Sequence, residues 1–239
     1  MEIILNPKYQ RLHPVLERLE EIFPTGELVQ DSFNEIRLLH CEGLTLNVKR
    51  YGRSISRRLR FYKMAKGMRA FVAGRYLRER GYDSPEPVAF VRYRGRMMTR
   101  ATYFVTIQSP LRHNISELAA WTLQEQESII DALAAYTARL NEDGFVHHNF
   151  KGKHILFDRN EQGAWVFALI DVNRVHRRRH GISTERGLKS FERLVLPEGM
   201  LERLTRAYAR LRQYSEESAW TFVQARFQAY QEKVARRGR

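Results

Sequence analysis

The sequence predicts an α+β architecture in two parts: a small antiparallel β-sheet bearing one helix, then a mainly helical half. Three observations carry this reading. Alternating apolar residues fill most of 27–107, a basic stretch at helical spacing interrupts them near 57–80, and helical periodicity dominates after Gln108-Ser109-Pro110. With 239 residues, 43% of them apolar and 28% charged, the chain can bury a core and lacks the composition of a disordered segment. The two parts are set at 1–108 and 109–239, because a proline following a strand interrupts both helix and sheet.

In the first part, Leu12, Val15, Leu16, Leu19, Ile22 and Phe23 recur at helical spacing until Pro24-Thr25-Gly26, which predicts a leading helix. Strand character begins at Glu27. Ile36-Arg37-Leu38-Leu39-His40 and Leu44-Thr45-Leu46-Asn47-Val48-Lys49 flank Glu42-Gly43, the pattern of a hairpin whose second strand ends near Lys49. From Arg57 to Arg80 the apolar residues Leu59, Tyr62, Met68, Phe71, Val72 and Leu77 lie among basic ones with no proline, so a basic helix closed by Gly81 is expected. Val88-Ala89-Phe90-Val91-Arg92-Tyr93 and Thr102-Tyr103-Phe104-Val105-Thr106-Ile107 then read as strands joined through Arg94-Gly95-Arg96.

In the second part, Ile129, Leu133, Tyr136, Thr137 and Leu140 mark one face of a helix over about 124–142, closed by Asp143-Gly144. Short strands follow at Ile155-Leu156-Phe157 and Trp165-Val166-Phe167-Ala168-Leu169-Ile170. Helices over about 199–212 and 216–236 complete the pattern, and no internal repeat is present.

Cys41 is the only cysteine, which excludes an internal disulfide and a cysteine-rich zinc site and fits a reducing compartment. Met1–Pro7 is too short and too acidic for a signal peptide, and no apolar run approaches the ~20 residues that span a bilayer, so a cytoplasmic location is expected. The net charge is +14. Between Lys49 and Arg80 twelve Lys or Arg face one acid, Glu79, and a second basic cluster comprises Arg174, Arg177, Arg178 and Arg179. Such a field attracts nucleic acid, an anionic membrane face or a phosphorylated glycolipid, and charge alone does not choose among them. Phe61, Tyr62, Phe71 and Tyr76 in the basic helix suit base stacking or, at this spacing, a core.

The chemistry concentrates in His147-His148-Asn149-Phe150-Lys151-Gly152-Lys153-His154-Ile155-Leu156-Phe157-Asp158 and in Leu169-Ile170-Asp171-Val172-Asn173-Arg174. A kinase catalytic loop reads His-x-Asp-x-x-x-x-Asn, follows a long helix, and precedes a strand pair that ends in a metal-binding Asp. His147, Asn149 and His154 occupy the three loop positions, and Asp171 ends the second strand. In that template the loop Asp takes the acceptor's proton, the loop Asn and second Asp hold metal, and an upstream strand Lys grips nucleotide phosphates. Lys49 is the lysine in that place. Taken singly, Lys49 reads as a solvated edge lysine, Asp171 as the cap of a turn, and His147, His148 and His154 as a metal cluster.

Leu44-Thr45-Leu46-Asn47-Val48-Lys49-Arg50-Tyr51, Gly81-Tyr82-Asp83-Ser84-Pro85-Glu86-Pro87-Val88-Ala89 and Leu169-Ile170-Asp171-Val172-Asn173-Arg174 recur in order over about 26–180. Through these phrases the chain resembles the lipopolysaccharide kinase family, the Kdo and heptose kinases, distant relatives of protein kinases. The resemblance implies a protein-kinase-like bilobal fold, ATP and Mg²⁺ as cofactors, and an anionic sugar of the lipid A core as acceptor. It also implies peripheral attachment at the inner membrane face. It assigns Lys49, Asp171 and His154 to the nucleotide and metal, with Asp171 and His154 as metal ligands. His147, Asn149 and Lys151 become the catalytic set.

Three departures stand against the pattern. Asn149 has no carboxylate to take a proton, although its amide can still accept a hydrogen bond from a hydroxyl, and losing a general base costs ~10²–10⁴ in rate. A slow kinase and a pseudokinase both fit such a residue. Asp31-Ser32-Phe33-Asn34 replaces a glycine-rich nucleotide-covering turn, and Val72 stands where the family offers a Glu to Lys49, with Glu79 two turns further on.

Overall fold

The computed structural model describes residues 1–51, 57–94 and 99–237. The chain folds as two compact units, one of Met1–Pro110 with Asp171–Asn173, the other of Leu111–Ile170 with Arg174–Arg239. The segment Asp171–Asn173 thus belongs to the first unit although its sequence neighbours belong to the second.

The first unit runs β1 (Glu2–Leu5), α1 (His13–Glu17), α2 (Leu19–Ile22), β2 (Glu27–Asp31), β3 (Asn34–Cys41), β4 (Leu44–Tyr51), α3 (Arg57–Glu79), β5 (Pro87–Arg94) and β6 (Thr99–Ile107). Its six strands form one antiparallel sheet in the order β1-β5-β6-β4-β3-β2. At the β3–β4 turn, Glu42 and Gly43 both take positive φ, 50° and 71°, as a two-residue hairpin with right-handed strand twist requires. Gly81, at φ 76°, follows the end of α3.

The leading helix is not continuous. Its apolar spacing is sound, since Leu12, Leu16, Leu19 and Phe23 are buried against Leu46, Val48, Val91 and Tyr103. The ladder breaks at Arg18, and the reason lies 75 residues away. The Tyr93 hydroxyl is 3.0 Å from the carbonyl oxygens of both Leu16 and Glu17, and it accepts from the Glu20 amide at 3.2 Å, replacing helical partners. The strand β1 was not expected. Four residues are too few for a period, and they join the sheet by pairing with β5.

Strand alternation sorts the sheet's two faces. Leu46 and Val48 join the core with the leading segment, while Asn47, Lys49 and Tyr51 point to the opposite side. Lys49 pairs in register with Phe104, and Phe104 with Phe90, so these share a face. α3 covers that face, with Gly67 against the rings of Phe90 and Tyr51. Within α3, Phe71 is buried and Tyr76 is exposed, whereas the side chains of Leu59, Phe61 and Tyr62 lie outside the described residues, as do Gly95 and Arg96 of the β5–β6 turn.

The second unit runs β7 (His113–Asn114), α4 (Leu123–Glu142), β8 (Phe145–His147), β9 (Ile155–Arg159), β10 (Trp165–Leu169), β11 (Val175–Arg177), α5 (Thr184–Leu188), α6 (Met200–Leu211) and α7 (Glu216–Arg237). A capping box between Thr122 and Glu125 starts α4, whose buried face includes Ile129, Ile130, Leu133, Ala134, Thr137 and Leu140. Among the described residues no helix is long and apolar enough to cross a membrane.

A buried polar knot joins α4, α5 and α6. The Tyr208 hydroxyl donates to Asn141 Oδ1 at 2.7 Å, and the Asn141 amide donates to the Phe145 carbonyl at 2.7 Å. Gly187 of α5 sits against this pair so closely that a β-carbon there would lie 2.0 Å from the Tyr208 hydroxyl oxygen and 2.3 Å from Asn141 Oδ1. Gly187→Ala must therefore overpack the knot and break its hydrogen bond, at about 2–4 kcal/mol. Urea unfolding is expected to show that loss, and an unchanged midpoint would contradict the packing described.

Candidate active site

Lys49 is carried to the α3 face by the alternation of β4, and there it meets Asp171. Its ammonium Nζ donates to Asp171 Oδ1 at 2.7 Å, with side chains 17% and 25% exposed. As expected from the sequence, α3 offers Lys49 no acid at position 72, and Glu79 does not take its place. Val72 is exposed and apolar, and Glu79 pairs with Arg75 at 3.4 Å. A half-desolvated ion pair loses in hydration much of what it gains in attraction, so this one is better evidence for charge placement than for stability.

Asp171 takes φ 54°, a left-handed conformation that costs a non-glycine residue roughly 1 kcal/mol and is most tolerated by Asp and Asn. It comes directly after the edge-to-edge pairing of β9 and β10, where Ile170 N donates to the His154 carbonyl at 3.0 Å. Tyr51 stands beside the pair, with Lys49 Nζ 5.6 Å from its ring centroid. Burial, and then the Asp171 carboxylate, push the Tyr51 hydroxyl far above its ordinary range, so it stays neutral. Asn173 is buried as well, and its Oδ1 has no hydrogen-bond partner among the described residues.

In the second unit β8 pairs with β11, matching His147 to Val175, and this fixes the start of the loop. His147 Nδ1 accepts from the Asn149 amide N–H at 3.0 Å, so its proton is on Nε2, which donates to the Ile170 carbonyl at 3.1 Å. One neutral tautomer is thereby locked. His154 stacks on His147 at 6.0 Å, and its Nδ1–H donates to the Asn149 carbonyl at 2.9 Å, which leaves the lone pair on Nε2. The Asn149 side-chain Oδ1 accepts from Arg193 Nη1 at 3.4 Å. Lys151 is half-buried, and its carbonyl accepts from His154 N at 2.8 Å.

The structure thus gathers the six sequence-derived residues into two groups: Lys49 with Asp171, and His147, Asn149 and His154 with Lys151 in their loop. It adds Tyr51, Asn173 and Arg193. Tyr51 was readable from strand parity with Lys49. Arg193 lies 44 residues beyond Asn149 with no local pattern to mark it. Among the described residues no three His, Cys, Asp or Glu side chains form a metal cluster.

The model of the lipopolysaccharide kinase (Kdo/WaaP) family matches residues 27–225, which takes in both groups. The chain belongs to this family. Among solved structures, "WaaP in complex with acyl carrier protein" is similar with a TM-score of 0.65 and 16% identity, over 96% of this chain and 99% of that one. At that identity the likeness is one of fold, and it extends the kinase-like α+β architecture to nearly the whole chain. A comparison with curated proteins gives no match.

Next to the kinase-family loop, His148 packs edge-on to His176 with ring centroids 4.6 Å apart. Burial, then His176, Arg186, Lys189 and Arg193, hold the His148 pKa below its ordinary 6.5. Unfolded His148 therefore takes up a proton at higher pH than folded His148, and stability falls as pH drops from above 6.5 toward the folded value. His148→Gln is expected to flatten the decline in melting temperature between about pH 7 and pH 5. A decline parallel to that of the wild type would contradict it.

Proposed function

We propose that this chain is an ATP-dependent kinase acting on a sugar of the lipopolysaccharide core, of the Kdo or heptose type. The observation that carries the reading is the Lys49–Asp171 pair, a phosphate-gripping lysine held 2.7 Å from a carboxylate at the end of β10. In this reading Lys49 orients the nucleotide phosphates and Asp171 holds Mg²⁺. The donor set suits that ion, since Mg²⁺ takes one or two carboxylate oxygens plus phosphates and water rather than a full protein cage. The Asp171 carboxylate and the Asn173 Oδ1, which has no hydrogen-bond partner among the described residues, supply hard oxygen. When bound, the metal neutralises charge on the transferring phosphoryl group.

Asn149 acts by position. Its Oδ1 accepts the acceptor hydroxyl's hydrogen bond, with His147 fixing the loop backbone and Lys151 contributing charge beside it. The +14 charge supports work at an anionic membrane surface on the cytoplasmic side. The related WaaP structure contains an acyl carrier protein, so a protein partner of that kind joins the glycolipid in this proposal. The rival reading is a pseudokinase, and the amide of Asn149 favours it. A nucleic-acid role has the charge alone behind it.

Purified protein is expected to transfer phosphate from Mg·ATP to Kdo-lipid A slowly, and Asp171→Ala should abolish the transfer. Asn149→Asp separates the readings. Arg193, 3.4 Å from Asn149 Oδ1, would keep a carboxylate there ionised, so turnover should rise at least ~10-fold. Transfer absent from both the wild type and Asn149→Asp would establish the pseudokinase instead.

A further inference from the structure

In the second unit the described guanidinium groups of α6 and α7 are matched to acids. Arg203 pairs with Asp131 at 2.7 Å, Arg206 with Glu202 at 2.7 Å, Arg210 with Glu216 at 2.9 Å, and Arg226 with Glu192 at 2.8 Å. One open cleft of about 630 Å³ breaks this rule. Its lining includes Arg178, His180, Ser183, Arg186, Arg212 and Glu142. The one acid is already answered, because Arg212 Nε lies 3.7 Å from Glu142. Among the described residues the side chains of Arg178, His180 and Arg186 have no hydrogen-bond or ion-pair partner.

The cleft is held in shape by its backbone. Arg178 N donates to the Gly144 carbonyl and Ile182 N to the Asn141 carbonyl, both at 2.8 Å, so the loop 178–182 is fastened at each end to the terminus of α4. Arg212 ties the same loop down, donating to the Ile182 carbonyl at 2.8 Å from a side chain only 12% exposed. Ser183 precedes α5 without spending its side chain on a cap. A hydroxyl donor and two planar guanidinium forks therefore line one space whose single carboxylate, Glu142, is paired with Arg212.

We propose that this cleft is a binding subsite for a phosphate group, recognised by Arg178 and Arg186 with help from Ser183. Guanidinium forks match two phosphate oxygens at once, which a lone lysine does not. The surrounding charge reinforces the site, since Arg186, Lys189 and Arg193 add, after burial and His176, to the lowering of the His148 pKa. The assignment holds whether or not the chain turns over ATP, because it concerns ligand binding alone.

The test is calorimetric titration of the full chain with inorganic phosphate in the absence of nucleotide. Arg178→Gln and Arg186→Gln are each expected to weaken binding by about tenfold or more, while Lys233→Gln, an exposed charge on α7, leaves it unchanged. Flotation with phosphatidylcholine vesicles, with and without phosphatidic acid, identifies the source. If the two arginine variants also lose the acid-dependent capture, the phosphate is a lipid headgroup. If they lose phosphate binding and keep vesicle capture, it belongs to a soluble compound. No heat of phosphate binding in the wild type, or equal weakening in Lys233→Gln, would overturn the proposal.

Discussion

The ion pair between Lys49 and Asp171 is the constraint on which the candidate chemistry depends. It joins positions 122 residues apart and draws the three residues Asp171–Asn173 into the first unit. Its cost is visible on both sides. Lys49 gives up most of its hydration on the α3 face, and Asp171 adopts a left-handed backbone. A buried pair returns little net stability, so two charges kept at this expense are kept for where they stand. In the absence of an acid on α3 at Val72, Asp171 is the group that compensates the lysine.

The loop of the second unit is organised differently, by neutral hydrogen bonds. His147 bridges the Asn149 amide and the Ile170 carbonyl, and His154 closes the turn onto the Asn149 carbonyl. These bonds order the backbone whether residue 149 carries an amide or a carboxylate. The framework therefore does not require the base, which is why Asn149 is compatible with both a slow enzyme and a silent one.

Much of this was legible in the sequence where a period or a motif spans enough residues. The β3–β4 hairpin, α4 and the β9–β10 pair all rest on local patterns that the fold respects. What was not legible has a long-range cause. The break at Arg18 is made by the Tyr93 hydroxyl, β1 is only four residues long and takes its identity from β5, and Arg193 reaches Asn149 through tertiary packing. The membership of Asp171–Asn173 in the first unit is of the same kind, since three residues carry no pattern of their own. The arginine-lined cleft likewise emerges only when acids and bases are matched in space.

Calorimetric titration of Mg·ATP into the wild type, Lys49→Met, Asp171→Asn and the double variant tests most directly whether this pair anchors the nucleotide. The account predicts measurable binding by the wild type, a loss of tenfold or more in each single variant, and little further loss in the double, as for two groups acting on one ligand. Undiminished affinity in either single variant, or no wild-type binding at millimolar nucleotide, would contradict it.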